Sequence, residues 1–307
     1  MLPVPVGYVF VILLVITLLW RTVDLFRSKK PWRQKLIDTG TSTLAFAGAI
    51  VFLFLFLWGF NYGRIPLEQQ LELDMQALTI EELENDMKAS ARELARLRSE
   101  VAGASDTALA VVIYPHILEE EQRAVLEKVL TEMGFPDVGD VRARVLRPKG
   151  VLLRFSSSGV YFPFTGEGNV DLGLYPLQMP FVLTHELAHG YGFGDEGTCN
   201  FLAYLACRAS EKPVYRYSGE MAYFRYLASN YLRYKPDAYQ EFRASLPKGI
   251  QADLNAINAN LLEYPDLIPE LQHRAYTTYL KAQGISEGKK NYSRILMLVR
   301  AWKNREQ

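Results

Sequence analysis

His185-Glu186-Leu187-Ala188-His189 sets two imidazoles four residues apart with a carboxylate beside the first. On a helix that spacing puts both rings on one face, separated by roughly 6 Å of axial rise. Both can then reach one ion at metal–nitrogen distances of about 2.0–2.1 Å. Glu186 lies about 100° around the axis, placed to take a proton from a water on that ion without being a ligand. These are the residue types of a zinc hydrolase with one Zn2+ per chain. The bland alternative is a pair of helix histidines near a surface glutamate. Only four histidines occur in the chain, and two of them fall here.

Two adjacent acids compete to be the third ligand. His185-x-x-x-His189-x-x-Gly192-x-x-Asp195 has the metzincin-like spacing, in which the last ligand is usually His and sometimes Asp. Glu196 followed by Asn200 has the Glu-x-x-x-Asp/Asn spacing of gluzincins. There the residue one turn after the ligand hydrogen-bonds a metal-bound histidine and fixes its tautomer. The spacing favours Glu196, with Asn200 in that supporting role. A metzincin site also needs a downstream Met-turn, and the nearest methionine, Met221, sits in a helical context. Asp195 remains the alternative ligand, although an N-cap role one residue before a helix explains it without chemistry.

The elements that must hold these groups read as mainly helical. A helix begins at Pro180, with proline suited to a first turn, and Gly190, Gly192 and Gly194 end it. The glycine-rich bend lets the chain reverse and bring the third ligand to the ion. A second helix runs from about Glu196 to Arg208, and the rest to Gln307 is helical with breaks at Pro236, Pro247 and Pro265. Upstream, Thr79-Ile80-Glu81-Glu82 is a capping box inside a solvated helix expected from Pro66 to about Val101. Gly103-Ala104-Ser105 is a linker signal. An apolar run at Leu109–Tyr114 and an amphipathic helix around Glu119–Met133 follow. Alternation at Val141–Leu146 and Val151–Phe155 predicts strands, and Phe162–Asp171 reads as an extended segment.

At 307 residues and 49% hydrophobic the chain can hold a membrane anchor and one domain of ordinary size. Its formal net charge is zero, so nucleic acid is not an expected partner. Cys199 and Cys207, eight residues apart in one helix, are separated by roughly 12 Å, too far for a disulfide. Val4–Trp20 and Leu44–Phe60 are uncharged runs of near the roughly 17 residues needed to cross a bilayer. Trp58, Phe60 and Tyr62 cluster like an interfacial belt. The first run lacks the preceding charges and small-residue cleavage site of a signal peptide. Between the two runs lie Arg21, Arg27, Lys29, Lys30, Arg33 and Lys35 against Asp24 and Asp38. That basic excess is expected on the cytoplasmic side, which puts everything after about residue 61 outside the cytoplasm, in a cell inner or plasma membrane.

With these residues in place, the chain resembles a family of membrane-bound bacterial zinc-peptidase-like proteins in the gluzincin, HExxH, group. The resemblance is carried by Tyr161-Phe162-Pro163-Phe164-Thr165-Gly166-Glu167-Gly168-Asn169-Val170, by His185–His189, Gly192-Phe193 and Glu196, and by Asn200-Phe201-Leu202-Ala203-Tyr204-Leu205-Ala206-Cys207. Asn61-Tyr62-Gly63-Arg64, Tyr217-Ser218-Gly219, Tyr279–Ile285 and Tyr292-Ser293-Arg294 extend it over nearly the whole chain. It implies a peptidase by motif and no defined substrate. Gly190 stands where the family commonly shows glutamine, and Thr198-Cys199 where it shows an acid and alanine. These departures leave the three ligands and the base intact and bear on the groups that surround them.

The expected architecture is therefore mainly α (α+β): a transmembrane helical hairpin at 1–62 with a basic cytoplasmic loop, a helical connector at 63–105, and a gluzincin-like metallopeptidase domain with a small β-sheet at 106–307. The expected substrate is a peptide or protein. An edge strand beside the metal would pair with its backbone, which makes Phe164, Thr165, Gly166 and Glu167 candidate substrate contacts. Glu167 could equally pair with a neighbouring basic side chain. Tyr217 is the candidate oxyanion donor, in a stretch dense in tyrosines at Tyr215, Tyr223 and Tyr226. His116 and His273 read as ordinary structural histidines. The rival functions are a zinc amidase acting on cell-wall peptides and an inactive membrane scaffold that keeps the helix pair. An intramembrane protease ranks below both, because no bilayer-length apolar run flanks the metal helix.

Overall fold

The computed structural model describes residues 5–267 and 294–305. His273, Tyr279–Ile285 and Tyr292-Ser293 lie outside them. Two long helices come first, α1 (Val6–Arg27) and α2 (Trp32–Leu57), of 22 and 26 residues, each long and apolar enough to cross a membrane. At 1.5 Å per residue they are about 33 and 39 Å long, against a hydrocarbon core of about 30 Å. Neither has a buried residue, and Ile12, Leu13, Ile16, Leu19, Phe52 and Phe56 are exposed. Exposed apolar side chains of that kind are what a helix presents to lipid.

The expected belt at the end of α2 divides. Phe60 is exposed, whereas Trp58 is 5% exposed and packs on Tyr161 with ring centroids 4.7 Å apart.

The remaining helices are α3 (Leu67–Gln70), α4 (Ile80–Glu100), α5 (Pro115–Glu132), α6 (Met179–Gly190), α7 (Glu196–Ala209), α8 (Pro213–Tyr234), α9 (Pro236–Ser245), α10 (Lys248–Leu262) and α11 (Arg294–Arg305). The expected helix from Pro66 to Val101 is broken. After α3 the chain turns through Glu72 at positive φ, and α4 starts at the capping box. There Glu82 N–H donates to Thr79 Oγ1 at 3.2 Å, and Glu82 Oε2 accepts from Thr79 N–H at 2.8 Å.

Nor is α4 a solvated connector. Leu83, Met87, Ala91, Leu94 and Leu97 recur at helical spacing and are buried against α8. Each large apolar side chain so removed from water contributes about 1.5–3 kcal/mol. This stripe makes α4 part of the domain's core, and the charged residue of α4 that is buried, Arg98, is paired there.

Three strands form a sheet of order β1-β3-β2: β1 (Arg142–Leu146), β2 (Gly159–Phe162) and β3 (Glu167–Asp171). β3 is central, parallel to β1 and antiparallel to β2. β1 falls where alternation predicts it. Val151–Phe155 does not form a strand, because the Asp171 carboxylate takes the backbone N–H groups of Gly150, Leu152 and Leu153 at 2.7, 2.6 and 3.1 Å and curls the segment into a turn. Of the segment expected as one extended run, only its second half is strand, and it is the buried centre of the sheet, not an edge. The free edge beside it belongs to β2.

The helical core closes around α6, which packs on α5, α7, α8 and β3. A buried polar pair stitches α4 to α10: Arg98 Nε donates to Asp253 Oδ2 at 2.8 Å, and its other nitrogens donate to the carbonyls of Ser105 and Thr107. Asp253 is fully buried and also accepts from Leu109 N–H. Removing one partner of such a pair leaves an uncompensated buried charge. Asp253→Ala is therefore expected to lower stability by about 3–5 kcal/mol, read as a drop in denaturation midpoint of the detergent-solubilised chain.

Candidate metal centre

α6 is buried on nearly every side, and its last two turns carry His185, Glu186 and His189, which are 9%, 3% and 8% exposed. The backbone then reverses at Gly192, φ +87°, a conformation that favours glycine. α7 starts four residues later, with Glu196 in its first turn. The reversal brings Glu196 Oε2 to 3.2 Å from His185 Nε2 and 3.9 Å from His189 Nε2. The two Nε2 atoms are 3.1 Å apart, and all three ligand atoms lie within 4.8 Å of one another.

The other ring nitrogens fix what those Nε2 atoms are. His185 Nδ1 lies 2.9 Å from Asn200 Oδ1, and His189 Nδ1 lies 2.7 Å from the Phe193 carbonyl. Both partners are oxygen acceptors, so each Nδ1 is placed to donate, which leaves each Nε2 able to offer a lone pair to a cation. Two lone pairs and a carboxylate oxygen thus converge on one point. Tetrahedral zinc with bonds of 2.0–2.1 Å separates its ligand atoms by about 3.3 Å, close to the observed spacing. The residues present fit a zinc ion. Asn200 and Phe193 would orient the two histidines toward it.

Without a cation, burial strains the cluster electrostatically. It pushes the Glu186 carboxyl up to about 8, with Glu196 adding to the rise and His185 opposing it. It drives His189 down to about 4, chiefly by desolvation. At His185 desolvation also acts downward, but the Glu196 carboxylate outweighs it and the net shift is up. Glu186 Oε2 is buried with no hydrogen-bond partner, as is Asn200 Nδ2.

Glu186 is held by the sheet. A Cβ on Gly159 in β2 would overlap Glu186 Oε1, and one on Gly168 in β3 would sit 2.7 Å from Glu186 Cβ. Only glycine at both positions lets the strands lie this close to the acid. Gly190, where the resembled family shows glutamine, has Val141 pressed against it, so a side chain has no room there.

Asp195 does not join the cluster. Its carboxylate caps α7, accepting from Thr198 N–H at 2.7 Å and Thr198 Oγ1 at 2.9 Å. Tyr217 is fully buried and its hydroxyl donates to Asp253 at 2.7 Å, in the Arg98 network, so it is not an oxyanion donor. The phenol beside the cluster is Tyr226, two turns further along α8 and held neutral by burial and by the charge of Glu196, with Asn200 acting in the opposite sense. Sequence reading placed Tyr226 only among nearby aromatics, and helical spacing alone does not choose between Tyr217 and Tyr226.

Phe164, Thr165 and Gly166 form the turn between β2 and β3. Phe164 packs against the first apolar helix: Phe10 of α1 stacks on it at 5.6 Å and meets Phe162 edge-on at 5.3 Å. Glu167 Oε1 accepts from Arg144 at 2.7 Å, and its Oε2 accepts from Val6 N–H at 2.7 Å, capping the first turn of α1. Its two oxygens are thereby committed to structure.

Asn61-Tyr62-Gly63-Arg64, just beyond α2, docks on the bend that carries the metal groups. Arg64 donates to the Tyr191 carbonyl at 3.0 Å, and its guanidinium lies 4.3 Å from the centre of the Phe193 ring. Tyr62 packs against Gly194, and Trp58 reaches to 6.3 Å from His189, ring to ring. Cys199 Sγ sits 3.3 Å from His189 Nδ1 and 3.2 Å from the Phe193 carbonyl. Both cysteines are free and buried.

The fold and the cluster define a mostly helical protein with a small three-stranded sheet, two apolar helices of membrane-spanning length and a group of side chains suited to one divalent cation. Over residues 1–300 the chain matches the family described as Protein of unknown function (DUF3810), and it belongs to that family. No curated protein and no solved structure matches it. With Glu196 in the cluster and Asp195 on the helix cap, Glu196→Ala is expected to remove zinc from the purified protein, while Asp195→Ala keeps most of it and loses about 1 kcal/mol of stability. Metal analysis with the opposite ranking would make Asp195 the ligand.

Proposed function

We propose that the chain is a membrane-anchored zinc metallopeptidase that hydrolyses peptide bonds on the extracytoplasmic side. The observation that carries this reading is the pair of imidazole lone pairs converging at 3.1 Å, with the unpartnered oxygen of Glu186 beside them. A zinc ion held by His185, His189 and Glu196 supplies Lewis-acid activation of water and of the scissile carbonyl.

Glu186 moves the proton. Its carboxylate takes one from the attacking water and returns it to the leaving amine nitrogen. Burial raises its basicity, and the two facing glycines fix its direction. Tyr226, neutral and adjacent to the ligand pair, donates a hydrogen bond to the developing oxyanion. The free edge of β2, which starts at Gly159 against Glu186, offers backbone groups to an extended peptide.

A purely structural metal site has no use for a buried acid with an unmet oxygen, which weighs against the inactive scaffold. An amidase acting on cell-wall peptides would use the same groups, and substrate alone separates it from a peptidase. The basic residues between 21 and 35 lie at the connected ends of α1 and α2, and the domain sits at their other ends. The basic excess favours a cytoplasmic connection, with the domain opposite.

Glu186→Gln is expected to retain zinc and lose turnover of peptide substrates by about 10²–10⁴-fold, and Tyr226→Phe to lose about 10²-fold in kcat with zinc unchanged. Turnover by Glu186→Gln equal to that of the parent chain would remove the general-base role. A topology reporter fused after Gln307 is expected to register outside the cytoplasm, and a cytoplasmic signal would reverse the orientation.

A further inference from the structure

Beside the metal centre, α6, α8, α9 and α10 enclose a cavity of about 610 Å³. Three of its wall residues join it to the reacting groups. Val182 lies one turn before His185 on α6, Tyr226 is the phenol beside Asn200 and Glu196, and Ser158 precedes the glycine pressed on Glu186. A substrate reaching Glu186 would place a neighbouring residue here.

The charge on the cavity wall has one sign. Arg225 and Arg243 line it, and no aspartate or glutamate does. Among the described residues no carboxylate pairs with either guanidinium. Arg243 donates to the neutral Asn255 Oδ1 at 2.7 Å, while Arg225 has no hydrogen-bond partner among the described residues. Arg225 is half-buried on the wall, and that burial holds its pKa below the ordinary arginine value, against the pull of Tyr226 and Tyr239. Gln178, on the same wall, has a buried side-chain oxygen with no partner, an acceptor for a ligand N–H. A planar guanidinium on a wall without carboxylates gains most from a planar anion that takes two of its N–H groups at once.

We propose that this cavity is a substrate subsite for a carboxylate, bound by Arg225 with Arg243 completing the positive wall. This rests on the peptidase reading and adds a substrate class to it: peptides that present an anion on this side of the scissile bond. A peptide's own C-terminal carboxylate and an Asp or Glu side chain offer the same chemistry. The two are separated by the ligands in the test.

The test uses the full chain in detergent as the Glu186→Gln variant, so that nothing is consumed. Three acetylated alanine peptides of equal length are titrated by calorimetry: one with a free C-terminus, one amidated, and one amidated with a single glutamate. Zinc content is measured in every sample, and each titration is repeated after chelation. At least one anionic peptide is expected to bind about tenfold or more tightly than the neutral amide, and which one does so names the source of the carboxylate. Arg225→Gln is expected to erase the preference and Arg225→Lys to keep part of it. Gln240→Glu, which places a competing carboxylate on the wall, is expected to weaken it and serves if Arg225→Gln does not fold. Equal affinity for all three peptides, no binding of any at millimolar concentration, or a preference that survives Arg225→Gln would overturn the proposal. A chain that binds no zinc but keeps the anionic preference would remove the metallopeptidase reading and leave the carboxylate site standing, because Arg225 needs no metal to bind an anion.

Discussion

Two imidazole nitrogens held 3.1 Å apart in a buried site are the constraint on which the rest of the structure depends. Releasing them would take only a rotation of either ring, and the fold forbids it. Asn200 grips the back of one ring and the Phe193 carbonyl grips the back of the other. Both grips come from the segment that also carries Glu196, so bend, helix and ligands form one mechanical unit.

That unit is braced from the membrane side. The segment following α2 covers the glycine bend with Asn61, Tyr62 and Arg64, and Trp58 lies over Tyr161 next to His189. The start of α1 is tied to the sheet by Glu167 and by Phe10 against the β2–β3 turn. The two apolar helices are thus attached at both free ends to the elements that position the cluster. Residues just beyond the second apolar helix thus touch the bend and the ring of His189.

The sheet does a different job. Its two strands nearest α6 are glycine at the points that touch Glu186, so backbone and not side chain forms the wall behind the acid. A wall of backbone excludes water without adding a competing polar side chain. It leaves one Glu186 oxygen buried and unmet. Opposite, α8 supplies the tyrosine, and the cavity behind it carries two arginines and no acid. The site is therefore negative at its ligands and positive where a substrate would extend.

Much of this was legible in residues 185–200, because a helix converts spacing into direction with no outside help. Four-residue spacing puts His185 beside His189, the acid-then-asparagine pair does the same for Glu196 and Asn200, and Asp195 caps the helix that starts after it. The capping box at Thr79 and the two long apolar helices were equally local. What the sequence could not decide were contacts between residues far apart in the chain. Tyr226, not Tyr217, stands at the cluster because Asp253, 36 residues beyond Tyr217, claims its hydroxyl. Glu167 turns to Arg144 and α1, and Asp171 dissolves a predicted strand by taking three backbone N–H groups. α4 proved to be core because its apolar stripe found α8. Periodicity tells which face of an element is apolar, but only packing tells which partner that face meets and which of several equivalent side chains is left free to react.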